Sequence, residues 1–339
     1  MKTEIIRREF FNKNSLKRIK EYYISGKVVA IPTETVYGLS ADAQNEKAVS
    51  KIFEAKNRPI DNPLIVHFYE LNQLNGIVDY SDPWVGLLAN KFWPGPMSLI
   101  LPLVNKERIA ANVTAGLTSL AVRMPSDKYA RRILEETRLL LAAPSANTSG
   151  KPSPTRADHV INDMDEKIEA IVEGDDSEIG LESTVIDCRQ RPFVIARPGS
   201  ISLNDIEAVL GKGNIFYHDF NHREKIISPG TKYRHYSPDA DLLIEDTSFD
   251  NMLQILKNTD EKTLFITYKN KERDVKNLPC KIKYLAKNEE NIEESSKNLY
   301  NILRECDLEN IKTIYILKIK ENDKTKALVN RLTKASSKM

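Results

Sequence analysis

The chain has 339 residues, enough for two domains with separate cores, and its 50 basic against 48 acidic residues leave a net charge of +2. That balance excludes a globally basic nucleic-acid binder. No apolar run approaches the ~18 residues of a membrane span, and the N-terminus lacks a signal peptide's apolar core and cleavage site, so a cytoplasmic protein without membrane contact is expected.

In chain order, helices are expected at Ser15 to Ser25, stopping at Gly26, and at Glu46 to Ala55 behind Asn45. Others follow at Pro83 to Phe92, Lys128 to Thr137 and Leu203 to Leu210, which stops at Gly211. Strands are expected at Val28 to Ile31, Leu64 to Phe68, Leu99 to Leu103, Leu120 to Met124, Leu139 to Ala143, Ala170 to Glu173, Thr184 to Cys188 and Phe193 to Ala196. So many strands, not strictly alternating with helices, predict an α+β or mixed α/β domain with a large twisted sheet. Residues 212 to 240 have few periodic apolar positions and read as a linker; the proline-bracketed SPGTKYRHYSP within it is a candidate lid. Beyond it, strands at Leu242 to Glu245, Leu264 to Tyr268, Ile282 to Leu285 and Ile314 to Ile319 interleave with helices at Phe249 to Leu256, Asn291 to Arg304 and Thr325 to Ala335. This is the pattern of a small, Rossmann-like doubly wound sheet. The expected domains are therefore 1–211, a linker or lid at 212–240, and 241–339.

The stretch from Leu139 to Thr155 runs from an apolar strand into a dense series of hydroxyl, amide and glycine groups, and Thr155 is placed to N-cap a following helix. Ser145, Thr148, Ser149 and Ser153 with backbone N–H groups suit an anion; a plain polar connector uses the same residues. It is not a P-loop, because Gly150-Lys151 is followed by Pro152 and the position five before Gly150 is Ser145.

Four other constellations bear on chemistry. Thr33-Glu34-Thr35-Val36-Tyr37 is a strand-end turn, where ligands bind in sheet proteins and where threonines also cap ordinary turns. Lys56 closes an amphipathic helix and Pro59 forces Arg58 toward an extended conformation, so two cations stand close together either as a site or as helix-dipole partners. His67 ends an apolar strand and by default is a satisfied core or edge histidine. Arg123 lies inside an apolar strand and needs an anion, which is either an internal carboxylate or a ligand's carboxylate or phosphate. Arg197 closes another strand before Pro198-Gly199. Cys188, Cys280 and Cys306 fit neither a disulfide framework nor a metal site and are expected as buried thiols. His218 and His222 stand four apart without a third ligand or a helical pattern, so no metal centre is expected.

TETVYGL (Thr33 to Leu39), AKNRP with NPLIVH (Ala55 to His67), WPGP (Trp93 to Pro96), AVRMP (Ala121 to Pro125), APSAN (Ala143 to Asn147), ESTVID (Glu182 to Asp187) and RPG (Arg197 to Gly199) occur in an order that resembles the YrdC-like domain of threonylcarbamoyl-AMP synthases. The SPGTKYRHYSP linker and the closing helix resemble the long, two-domain form, although Lys320 to Lys324 stands where members tend to have glycines. The resemblance implies a nucleotidyltransferase that joins L-threonine, bicarbonate and ATP into threonylcarbamoyl-adenylate with release of pyrophosphate, for use by a separate tRNA threonylcarbamoyl transferase. It also implies a tetrad of Lys56, Arg58, Ser145 and Asn147 around the reacting groups. Thr35, His67, Arg123, the Ala143 backbone and Ser183 would hold threonine. Arg58, Asn62, Ser119, Ser145, Ser153, Arg197 and Tyr233 would hold ATP, with Mg2+ bound through its phosphates. Lys232 to Tyr236 would close over the cleft. Two other classes stay open: an RNA-binding YrdC-like module without catalysis, in contact with tRNA, and a carbamoyl transferase, whose extra acyl-phosphatase and zinc-finger regions this chain lacks.

Overall fold

The computed structural model describes residues 2–218 and 236–337, and these form two compact units. The first holds residues 2–149, 154–178 and 182–218; the second holds 150–153, 179–181 and 236–337. Gly150 to Ser153, read from the sequence as part of the anion loop, thus packs with the second unit.

The first unit is built on one mixed sheet of eleven strands: β1 Glu4–Ile6, β2 Val29–Ile31, β3 Gly38–Asp42, β4 Ile65–His67, β5 Met97–Pro102, β6 Ser119–Arg123, β7 Leu141–Ala142, β8 Ala170–Val172, β9 Thr184–Asp187, β10 Phe193–Arg197 and β11 Ile215–Tyr217. Their spatial order is β1-β8-β2-β3-β7-β4-β6-β5-β9-β10-β11. Alternation along each strand sends successive side chains to opposite faces. On one face Val66, Leu99, Leu101, Leu120, Val122, Ile186 and Ile195 join the main core, against Ala48, Val49, Ile52 and Phe53 of the helix Glu46–Lys56 and Val85, Leu88 and Ala89 of the helix Pro83–Phe92. Each Val, Leu, Ile or Phe side chain among these contributes roughly 1.5–3 kcal/mol by leaving water.

The other face divides in two. Over β2, β7 and β8 it packs under the helices Lys13–Ile24 and Lys128–Thr137, through Leu16, Ile19, Tyr23, Ala130, Ile133 and Leu134. Over β4, β6, β5, β9 and β10 it carries a small apolar floor of Ile65, Ala121, Ile100, Val185 and Ala196. The candidates His67, Ser119, Arg123 and Arg197 lie on strands that carry that floor.

Three strands were not expected. β1 has its partner 166 residues later, Glu4 opposite Ala170, and so exists by tertiary pairing. β3 is built from small residues, Gly38-Leu39-Ser40-Ala41-Asp42, with weak strand preference, and is held by antiparallel pairing with β2. β11 lies inside the stretch read as linker and pairs in parallel with β10. The N-cap expectation for Thr155 also fails: the helix runs Ala157–Met164 with Arg156 at its N-cap, and Thr155 N donates to His159 Nδ1 instead (3.3 Å).

The second unit has four parallel strands, β12 Asp241–Glu245, β13 Thr263–Thr267, β14 Lys281–Tyr284 and β15 Thr313–Leu317, ordered β12-β15-β13-β14. Helices Phe249–Leu256, Glu272–Val275, Ile292–Leu308 and Lys326–Ala335 accompany them, as the doubly wound expectation requires. Among the described residues no helix is long and apolar enough to cross a membrane.

Candidate active site

Arg123 ends β6 and is almost wholly buried. Its Nη1 donates to Thr35 Oγ1 (2.9 Å), its Nε to the Gly95 carbonyl (3.3 Å), and its Nη2 lies 2.8 Å from Glu34 Oε1. Of the two kinds of partner that the sequence left open, the structure supplies the internal carboxylate, and Glu34 is a site residue that the sequence reading missed. Burial pushes the Glu34 carboxyl up, but the Arg123 guanidinium, together with the backbone N–H dipoles of Ser126 and Glu34, holds it below the usual range. The ion pair is close yet misaligned for hydrogen bonding, so Arg123 Nη2 and both Glu34 oxygens are buried without a hydrogen-bond partner among the described residues. The turn that carries Glu34 and Thr35 is locked by Thr33, whose Oγ1 accepts from Val36 N (3.3 Å) and donates to Val36 O (2.6 Å). Thr33 therefore plays the capping role and Thr35 reaches Arg123. Tyr37 serves the core, its hydroxyl accepting from Gly174 N (3.0 Å).

In the β4–β6 pair, His67 stands opposite Arg123 and Ile65 opposite Ala121, so His67, Arg123 and Ser119 share the face of the apolar floor. His67 is buried with Nδ1 unpartnered among the described residues. Burial first, and then the Arg123 charge, push its pKa down to about 3, so the ring is neutral near pH 7. Beyond β5, Ser98 and Ser183 share a hydrogen bond between their hydroxyls (2.8 Å). Arg197 ends β10 and donates through Nη2 to Ser183 O (3.0 Å) and Ser183 Oγ (3.1 Å). Ser98 is a second missed neighbour; a lone hydroxyl inside Met97–Pro102 was the available signal.

Three of the four tetrad candidates, Lys56, Ser145 and Asn147, meet through the loop after β7. Lys56, at the end of the helix Glu46–Lys56, is buried, and its Nζ donates to the carbonyls of Ser145 and Asn147, the latter at 2.5 Å. It is therefore a ligand of that loop rather than an exposed dipole partner. Ser145 Oγ donates to Asn147 Oδ1 (2.5 Å), and Ser145 forms a bridge with Gly38 at the start of β3. Arg58 donates to the carbonyls of Asn62 and Pro63 (both 3.3 Å), so the two cations grip different segments. Asn62 is buried with Nδ2 unpartnered among the described residues. Ala143 N donates to Ile65 O (2.9 Å), and Ser119 is buried at the start of β6, four residues from Arg123, or roughly 13 Å along the strand. Ser153 is buried in the second unit. Tyr233, His222 and residues 232–235 of the expected lid lie outside the described residues.

This arrangement of buried cations, amides and hydroxyls suits the binding and alignment of anions. The three cysteines are buried as expected, Cys306 with its thiol pushed up to about 12 by burial. Among the described residues no group of three or more histidine, cysteine, aspartate or glutamate side chains is placed to hold a metal ion.

A family model described as "Telomere recombination", for Sua5, YciO and YrdC proteins, matches residues 21–199, which makes the first unit a YrdC-like domain. A second, described as "Threonylcarbamoyl-AMP synthase, C-terminal domain", matches residues 201–337. The threonylcarbamoyl-AMP synthase of Pyrococcus abyssi is 38% identical over 95% of this chain and 96% of its own length, and that of Bacillus subtilis 39% identical over 91% and 89%. The crystal structure of P. abyssi Sua5 complexed with L-threonine superposes with a TM-score of 0.87 at 37% identity, covering 99% of this chain and 98% of that one. The chain belongs to the threonylcarbamoyl-AMP synthase family.

Proposed function

We infer that this chain is an L-threonylcarbamoyladenylate synthase: L-threonine, bicarbonate and ATP give threonylcarbamoyl-AMP, pyrophosphate and water. Arg123 carries the reading, as a buried guanidinium whose Nη2 lacks a hydrogen-bond partner among the described residues and which is paired across β4 and β6 with His67, in a chain alignable almost end to end with a structure holding L-threonine. Arg123 receives the amino acid's carboxylate, with Thr35, His67, Ser183 and the Ala143 backbone completing the pocket. His67, neutral and with a pKa near 3, is a hydrogen-bonding wall rather than a proton acceptor.

The threonine amine adds to carbon dioxide or bicarbonate, and the carbamate oxygen attacks the α-phosphorus as the bond to pyrophosphate breaks. The enzyme's task is alignment and charge cancellation, the terms that dominate phosphoryl-type transfer. Lys56, Arg58, Ser145 and Asn147 surround the reacting groups; Arg58, Asn62, Ser119, Ser145, Arg197 and Tyr233 hold ATP. Magnesium fits as an ion held by phosphate oxygens and water, since the described residues form no acidic cage, and when bound it supplies further charge neutralisation. The adduct then passes to a tRNA threonylcarbamoyl transferase, in the cytoplasm. Pyrophosphate release that requires both threonine and bicarbonate, with the adduct seen by mass spectrometry, is the expected result; release independent of threonine would overturn the assignment.

A further inference from the structure

We propose that Glu34 is a specificity-determining residue, whose charge makes the Arg123 pocket accept a zwitterionic amino acid and reject a bare carboxylic acid. This rests on the assignment of Arg123 to the substrate carboxylate. Glu34 Oε1 lies 2.8 Å from Arg123 Nη2, and both side chains are about 95% buried. Their two charges cancel in a site shielded from water, where interactions between charges are strong.

A guanidinium has five N–H donors, and Arg123 directs one at Gly95 O and one at Thr35 Oγ1, while Nη2 makes no aligned hydrogen bond among the described residues. A ligand carboxylate on Nη2 would therefore sit no more than about 6 Å from the Glu34 carboxylate. A monoanion entering there leaves one uncompensated negative charge on an otherwise balanced, buried pair. An α-amino acid brings its own ammonium and preserves neutrality. Burying an unpaired charge is the kind of penalty by which a site rejects a near-isosteric competitor. His67 does not alter this balance, since its ring is neutral. Asp127 interacts electrostatically with Glu34, and its carboxylate is engaged as the N-cap of the helix Lys128–Thr137, accepting from Tyr129 N and Ala130 N at 2.9 Å.

The test is calorimetric binding of L-threonine and of (R)-3-hydroxybutyrate, the same skeleton without the amine, to the full chain without ATP. Wild type is expected to prefer threonine strongly. In Glu34→Gln the preference should narrow by about tenfold or more, because the monoanion now meets an unbalanced cation; Glu34→Asp, which keeps the charge, should restore it. A Glu34→Gln protein that loses affinity for both ligands in equal proportion would reduce Glu34 to scaffolding and overturn the proposal. If Glu34→Gln fails to fold, a preference in Glu34→Asp well below that of wild type, with wild-type stability, would also overturn it. Wild type that binds no threonine would instead overturn the underlying assignment of Arg123.

Discussion

Lys56 Nζ donates to the carbonyl of Asn147 at 2.5 Å and also to that of Ser145, pinning a loop some ninety residues further along the chain to the end of a helix. One buried cation thereby sets the backbone of two candidate substrate-binding residues. Lys56→Met keeps the stem and removes the donor, leaving two carbonyls without this partner. We expect a loss of roughly 2–4 kcal/mol in unfolding free energy and a fall of about a hundredfold or more in adduct formation. Urea unfolding and pyrophosphate release measure the two effects, and a Met variant with wild-type turnover would remove Lys56 from the reacting centre.

Arg123→Lys tests whether recognition needs the planar fork. A lysine has no means of reaching Gly95 O, Thr35 Oγ1 and Glu34 in the three directions that the guanidinium now spans. The KM for threonine should rise by about tenfold or more, with the KM for ATP little changed. Equal changes in both would place Arg123 in general scaffolding.

Much of this site was legible from residue types in place. The charge of Arg123 inside the apolar run Leu120 to Met124 demanded a counter-ion, and the sequence placed Lys56 and His67 correctly at the ends of their helix and strand. What stayed hidden is long-range pairing. Nothing local says that Glu34 faces Arg123, 89 positions away, or that Gly38 bridges Ser145. The same cause hid β1 and β11, which exist through their partners, whereas Pro83–Phe92, Lys128–Thr137 and Leu203–Leu210, read from caps and periodicity, came out with the bounds expected.

Stability should fall on mild acidification, with a sign fixed by His67. Its folded pKa of about 3 lies below the ordinary 6.5, so between those values the unfolded chain binds the extra proton and acid favours unfolding. The loss approaches about 1.4 kcal/mol per pH unit below 6.5. Glu34, held below 4.5, adds to the loss in the same direction only under more acid conditions. Between pH 6.5 and 5, unfolding free energy should drop by roughly 2 kcal/mol in wild type and by clearly less in His67→Asn. Parallel pH profiles for the two proteins would refute the assignment of the loss to His67.

Two glycine substitutions should act in opposite directions because of what a Cβ would meet. At Gly199 it would lie 2.3 Å from Thr184 N and 2.6 Å from Ser183 C, both backbone atoms at the start of β9. That backbone is fixed by Thr184 Oγ1, which donates to Ile201 O (2.9 Å) and accepts from Ile201 N (3.1 Å), so it has no cheap way to yield. The displaced segment includes Ser183, the acceptor of the Arg197 hydrogen bonds. Gly199→Ala should cost roughly 1–3 kcal/mol, as overpacking does, and weaken ATP binding together with stability. At Gly86, inside the helix Pro83–Phe92, an added Cβ meets nothing within 4 Å. Gly86→Ala should therefore stabilise by about 0.5–1 kcal/mol through helix preference alone, leaving activity unchanged. Thermal unfolding of the pair decides the point: equal shifts would mean that the contact of Gly199 with β9 does not control this corner of the site.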